Sequence, residues 1–173
     1  MDGDDGGAGA GPPGSFDELV RRSDPAMLVV TVRAGDEVHG CLVGFHTQVS
    51  IDPLRYLVCL SHENATYRAA RDAEVLAVHL LARDQAGMAS LFGERTADEG
   101  VHKFDRCAWA PSPEGPPLLD GVAAWCIGRV VDRVPFGDHT GHILEPLRCG
   151  VGPGAEPLRY AAVRELEPGH NAG

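Results

Sequence analysis

The 173-residue chain contains no apolar run approaching the ~20 residues that a membrane-spanning helix needs. Its acidic, Gly-rich start, MDGDDGGAGAG, lacks the basic and apolar regions of a signal peptide. Basic residues are scarce: 15 Lys+Arg stand against 25 Asp+Glu, a formal charge of -10. Nucleic acid and anionic membrane surfaces want a basic face, so neither is expected as a partner. A local basic pocket for a small phosphate ligand remains open. The five cysteines, Cys41, Cys59, Cys107, Cys126 and Cys149, are odd in number, widely spaced and without a CxxC pair. Reduced thiols in a cytoplasm are expected, not a disulfide framework. HExxH, zinc-site Cys/His spacing, GxSxG, the P-loop and GxGxxG are all missing, so no metal site is expected. No internal repeat is present.

What is there reads as one globular domain. Hydrophobic residues make up 43% and charged residues 23%, and a chain of this length buries roughly two-thirds of its unfolded surface. Residues 1–14 are low-complexity Gly, Ala, Pro and Asp, expected to be a disordered tail. An ordered domain is expected over 15–166 and a flexible C-terminus over 167–173. Ser15 and Glu18 have capping-box spacing before a short helix to about Arg22, which Pro25 ends. Ala26–Arg33 and Glu37–Phe45 form a hairpin around Ala34-Gly35-Asp36. Leu54–Ser61 is a third strand, Asn64–Asp72 a helix capped by Asn64, and Glu74–Leu81 a strand buried on both faces. Asp84–Phe92 is a second short helix, with an irregular Pro-rich stretch after it. Val122–Val134, His139–Arg148 and Leu158–Arg164 supply the last strands. About seven strands with three short helices that do not alternate regularly favour an antiparallel barrel or sandwich.

Four segments could carry chemistry. In His39–Pro53, Gly40 and Gly44 interrupt an apolar strand, which marks a bulge or a close approach by a ligand or another backbone. Thr47, Gln48 and Ser50 follow on a polar turn able to meet an anion, although a plain bulged strand and polar loop would read the same. Ser61-His62-Glu63-Asn64-Ala65-Thr66 joins a buried strand to a helix start, where N–H groups and neutral donors suit phosphate; an ordinary N-cap is the bland alternative. Gly137-Asp138-His139-Thr140 delivers His139 at a strand start, with His142 on the opposite face. Lys103-Phe104 offers a cation and a loop anchor. His79 reads as a hydrogen-bonded core residue, and Met88 and Phe92 as core contacts.

In order along the chain, PAMLVVTV, HG with QVSIDP, LVCLS with NATY, HLLARDQ, LF, HKFD, PPLLDGVAAWCIGRV, GDHT and EPLRY are more specific than any one of them. Over about residues 20–162 the chain resembles the flavin reductase-like family of FMN-binding split-barrel proteins. The resemblance implies a mainly β fold with short helices, an antiparallel split β-barrel, dimerised with flavin near the dimer interface. It implies that the flavin ring lies along Cys41, Leu42, Val43 and Gly44. The ribityl phosphate would lie near Gln48, Val49 and Ser50 and near Ser61, Asn64 and Thr66. Lys103 matches a position with a phosphate or ribityl role, and His139 the histidine that meets the nicotinamide. Family members often carry small or polar residues after HG. Here the run is Cys41-Leu42-Val43-Gly44-Phe45-His46, so backbone groups at Val43 and Gly44 would substitute for side-chain donors.

The function implied is hydride transfer from NADH or NADPH to FMN or FAD, with reduced flavin passed to a partner monooxygenase or to oxygen. No general acid or base is needed, in keeping with the lack of a catalytic dyad. A flavin-binding protein that is not a reductase is the first alternative. A dimeric interaction module without cofactor is the second.

Overall fold

The structure is a computed structural model and describes residues 14–94, 102–153 and 156–166. The expected tail over 1–13 and C-terminus over 167–173 lie outside the described residues. After α1 (Gly14–Ser23) come β1 (Leu28–Ala34), β2 (Glu37–Val43), β3 (His46–Ser50) and β4 (Arg55–Ser61). Then follow α2 (Ala65–Ala70), β5 (Val75–Leu80), α3 (Ala86–Gly93), the short β6 (Trp109–Ala110) and β7 (Leu118–Leu119), and the long β8 (Ala124–Phe136) and β9 (His139–Val151). One antiparallel sheet orders them β2-β1-β5-β8-β9-β4-β3, while β6 and β7 pair separately. No described helix is long and apolar enough to cross a membrane.

The β1 run LVVTV is buried throughout because the strand is central and covered on both faces. Its alternate residues divide between two cores, as the two-residue strand period requires. Leu28, Val30 and Val32 join Cys41, Val43, Val58, Leu60 and Leu144 on one side. Val29 joins Met27, Leu81, Phe92 and Leu158 under α3 on the other. The buried hydroxyl of Thr31 donates to the Pro117 carbonyl at 2.7 Å, which ties the Pro-rich loop to the sheet. α2 is fixed at both ends. The Asn64 carbonyl oxygen accepts from the Thr66 N–H at 3.0 Å, and the Arg133 guanidinium donates to the carbonyls of Ala70 (3.2 Å) and Ala73 (2.5 Å).

Several expectations change. Thr47, Gln48 and Ser50 stand on β3, an exposed edge strand paired with β4, not on a turn. Its polar face meets solvent, so it carries no apolar alternation to betray a strand. The expected strand over Leu158–Arg164 is two isolated bridges, at Pro157 and Arg159, and a single 3-10 turn at Tyr160–Ala162. The helix expected from Asp84 starts at Ala86. α1 begins at Gly14, and the Glu18 carboxylate is held by Arg21 and Arg22. Cys126 and Cys149 face each other in the β8–β9 ladder and are disulfide-bonded, which corrects the expectation of five reduced thiols; Cys41, Cys59 and Cys107 are free. A hairpin register brings together two cysteines that their spacing in sequence keeps apart.

Two buried histidines make the fold acid-sensitive. His79 and His142 are fully buried, with Nδ1 donating to the carbonyls of Val29 (3.0 Å) and Thr140 (3.2 Å). Neither Nε2 has a partner among the described residues. Protonation would bury a cation, and for His142 it would do so beside Arg133, so burial pulls both down to about 4. The unfolded chain takes up these protons near pH 6.5, before the folded protein does. Their contribution to stability is therefore flat above about pH 6.5 and falls toward pH 4, by up to about 1.4 kcal/mol per pH unit for each histidine. Urea midpoints at pH 7.5 and pH 5 should show this loss, and His79→Leu should shallow the slope. A midpoint independent of pH would contradict it.

Candidate functional site

The site grows from the contact between β2 and α3. A Cβ at Gly40 would stand 2.7 Å from the Phe92 ring and 3.3 Å from Phe104. The glycine therefore does mark a close approach, made here by the protein's own aromatic residues. Phe104 meets Phe92 edge-on at 5.5 Å and Trp109 at 5.7 Å, and the Trp109 indole N–H donates to the Phe104 carbonyl at 3.1 Å. These contacts pin the turn Lys103–Asp105 against the sheet. Lys103 is 9% exposed, unlike an ordinary surface lysine, and its ammonium donates to the carbonyls of Phe92 (3.2 Å) and Gly40 (3.5 Å).

Between β2, the start of α2 and this turn lies a cavity of about 480 Å³. Gly40, Asn64, Thr66 and Lys103 line it, with His39, His102 and Phe104. Asp36, Glu37 and Asp105 form an acidic part of the lining. A buried ammonium beside a side-chain amide suits an anionic group of a ligand. Thr66 is itself buried, and its side chain lowers the Cys41 thiol slightly against the effect of burial. Burial pushes that thiol up to about 11, so Cys41 stays protonated at neutral pH.

A second cluster sits at the paired ends of β4 and β9, where Ser61 lies opposite His139. His139 Nδ1 contacts the Asp138 carboxylate at 2.7 Å. That contact holds the Asp138 carboxyl below the usual carboxylate range. It also leaves Nε2 as the ring nitrogen not engaged by Asp138. The His62 backbone N–H donates to the Asp138 carbonyl at 3.0 Å, and His62 Nε2 meets the Thr140 hydroxyl at 2.9 Å. Phe45, at the link between β2 and β3, places its ring 5.1 Å from that of His139. The connection Ser61–Asn64 runs from this cluster to the cavity.

The residues singled out in the sequence thus fall in four places. Asn64, Thr66 and Lys103 share the cavity. Ser61 and His139 are cross-strand neighbours, and neither lines the cavity. Cys41 and Val43 point into the core, Leu42 packs against Gly93, and a Cβ added at Gly44 would meet only Met27, at 3.6 Å. Gln48, Val49 and Ser50 lie on the edge strand, and none of them lines the cavity. Sequence reasoning does not single out His39, His102 or Phe45 as site residues, although each stands beside one that it does. Their neighbours Gly40, Lys103 and Gly44 carry the sequence signal instead.

The sequence profile of the flavin reductase like domain matches residues 20–167. An NADH:FMN oxidoreductase of Rhodococcus qingshengii is 30% identical over 127 residues, 73% of this chain and 65% of that protein. The reductase component of a 4-nitrophenol 4-monooxygenase/4-nitrocatechol 2-monooxygenase of Rhodococcus opacus is 29% identical over 145 residues, 84% of this chain and 75% of that one. Among solved structures, the NADH:FAD oxidoreductase of Streptomyces globisporus C-1027, in complex with NAD and FAD fragments, superposes with a TM-score of 0.74 at 26% identity. That superposition covers 87% of this chain and 90% of the other. The chain spans about two-thirds, 65%, of the Rhodococcus qingshengii relative's length. With a profile match over most of its length, the chain belongs to the flavin reductase like family.

Proposed function

We propose that the protein is an NAD(P)H-dependent flavin reductase that acts as a homodimer and passes reduced flavin to a monooxygenase. The single observation that carries this reading is the buried Lys103 ammonium on the wall of a cavity of about 480 Å³. The donor set suits FMN or FAD: Lys103 for the phosphate, with the Asn64 amide beside it. Gly44 adds support. Its backbone does not need a glycine, since its φ is not positive and a Cβ would make only ordinary contact with Met27. A glycine where the fold leaves room for a side chain suits close approach by a flat ligand.

Bound flavin supplies the hydride acceptor and reduced nicotinamide the donor, so the protein's work is placement. Lys103 would hold the flavin phosphate, and backbone groups of Val43 and Gly44 would hold the ring. Asp138 engages His139 Nδ1, so Nε2 would be the nitrogen available to the nicotinamide carboxamide. Ser61, opposite His139, and the edge residues Gln48, Val49 and Ser50 belong to this reading as flavin-contacting positions, the latter across a dimer interface. The relative named as a monooxygenase reductase component supports the choice of acceptor.

The dimer has a physical basis as well. β3 is an open sheet edge, and Val49 (47%), Ile51 (82%) and Leu54 (55%) are exposed on it and on the turn beyond. Exposed edges and apolar patches of this kind are covered by partners in stable proteins. The curved sheet, whose β2 end approaches β4, is read as the family's split barrel.

Lys103→Met should weaken FMN binding by about tenfold or more, the value of a lost charge-assisted hydrogen bond, while leaving the KM for the nicotinamide nearly unchanged. His139→Ala should raise that KM more than it weakens FMN binding. Fluorescence titration with FMN and steady-state kinetics separate the two, and wild-type NADH kinetics in His139→Ala would remove His139 from the mechanism. Sedimentation should give twice the 18.3 kDa chain mass. A monomer would count against a site shared between subunits.

A further inference from the structure

Phe45 is one of the chain's largest apolar side chains, yet it stays 58% exposed. It sits against His139 at 5.1 Å with the rings tilted by 50°. A second exposed ring, Phe136, is paired with His139 in the β8–β9 ladder and is 49% exposed. The Phe136 ring lies over Gly141, where a Cβ would stand 2.6 Å from it. Two aromatic residues and the carboxylate of Asp138, whose side chain is 88% exposed, thus neighbour one half-buried imidazole.

This rim has a definite chemical preference. The face of a benzene ring is electron-rich, and it attracts a cation more strongly than a neutral ring of the same shape. The oxidised pyridine ring of a nicotinamide dinucleotide is such a cation, and the reduced ring is neutral. We propose that Phe45 is the platform on which the pyridine ring of the reductant stacks, and that it holds the oxidised product more tightly than the reduced substrate. This rests on the reading of His139 as the nicotinamide contact. Asp138 strengthens the same preference by placing negative charge at the rim. Phe45 is then a determinant of product inhibition and release, a role that no other residue of the Cys41–His46 run can fill by stacking except the imidazole of His46. That imidazole is engaged at both nitrogens, by Tyr56 and by the Ala26 carbonyl.

The test uses the full-length, flavin-loaded protein and its Phe45→Leu, Phe45→Tyr and His139→Ala variants. Two quantities are read: the inhibition constant of NAD⁺ against NADH, and the calorimetric Kd of NAD⁺ without turnover. Phe45→Leu should raise both by about fivefold or more, within the range of a cation–π contact, and should raise the KM for NADH by a smaller factor. Phe45→Tyr should keep tight NAD⁺ binding. If inhibition constant and KM move together, or neither moves, the platform role is overturned. It is overturned equally if Phe45→Leu only dissociates the dimer and leaves their ratio intact, since Phe45 would then be an interface residue. His139→Ala with unchanged nicotinamide kinetics would defeat the underlying reading. A shift in His139→Ala with an unchanged ratio in Phe45→Leu would defeat the platform alone.

Discussion

The seat of the Phe92 ring on the bare Cα of Gly40 is the contact on which the site depends. With 2.7 Å between that ring and the place of a Cβ, any larger residue would force the buried Phe92 ring to shift. Three consequences follow from this approach. Phe104 can pack on Phe92. The Lys103 ammonium can reach the carbonyls of both Phe92 and Gly40. The turn that carries Lys103 then closes one wall of the cavity. A lysine held among carbonyl dipoles brings its ammonium inside the protein, where an anion is felt more strongly than in water.

The opposite wall depends on α2. That helix is only six residues long, too short to be stable alone. Asn64 holds its first turn and Arg133 its last carbonyls. Arg133 comes from β8, close to the strand pair whose far end presents His139. One long hairpin therefore braces the helix beside the cavity and carries the histidine of the second cluster. Dihydronicotinamide and flavin must meet face to face at about 3–3.5 Å, and that demand is met by stiff elements of this kind, not by loops.

Much of the fold is legible in the sequence, and the reasons are local. The β-branched LVVTV run and the turn at Gly35 mark the first hairpin, and Asn64 marks the start of α2. His79 reads as a hydrogen-bonded core residue, and its Nδ1 contact with Val29 agrees. Edge strand β3 is not legible, because a strand with both ladder edge and side chains toward water has no apolar alternation to show. The pairing of Cys126 with Cys149 depends on hairpin register, and spacing does not report it. Nor does composition report that Lys103 is buried; tertiary packing of Phe92 and Phe104 decides that. At the site, the motif order marks the segments that meet at the cavity and at His139. It does not distinguish Phe45 and His102 from the neighbours that carry the recognisable letters.

One cuvette tests the central claim most directly. The purified protein is given FMN, its absorbance spectrum is taken, and NADH, then NADPH, is added without oxygen. Loss of the oxidised flavin absorbance, at a rate far above that of the same mixture without protein, is the result that the account predicts. A flavin spectrum that stays oxidised with both reductants would contradict it and leave a flavin-binding protein served by some other reductant.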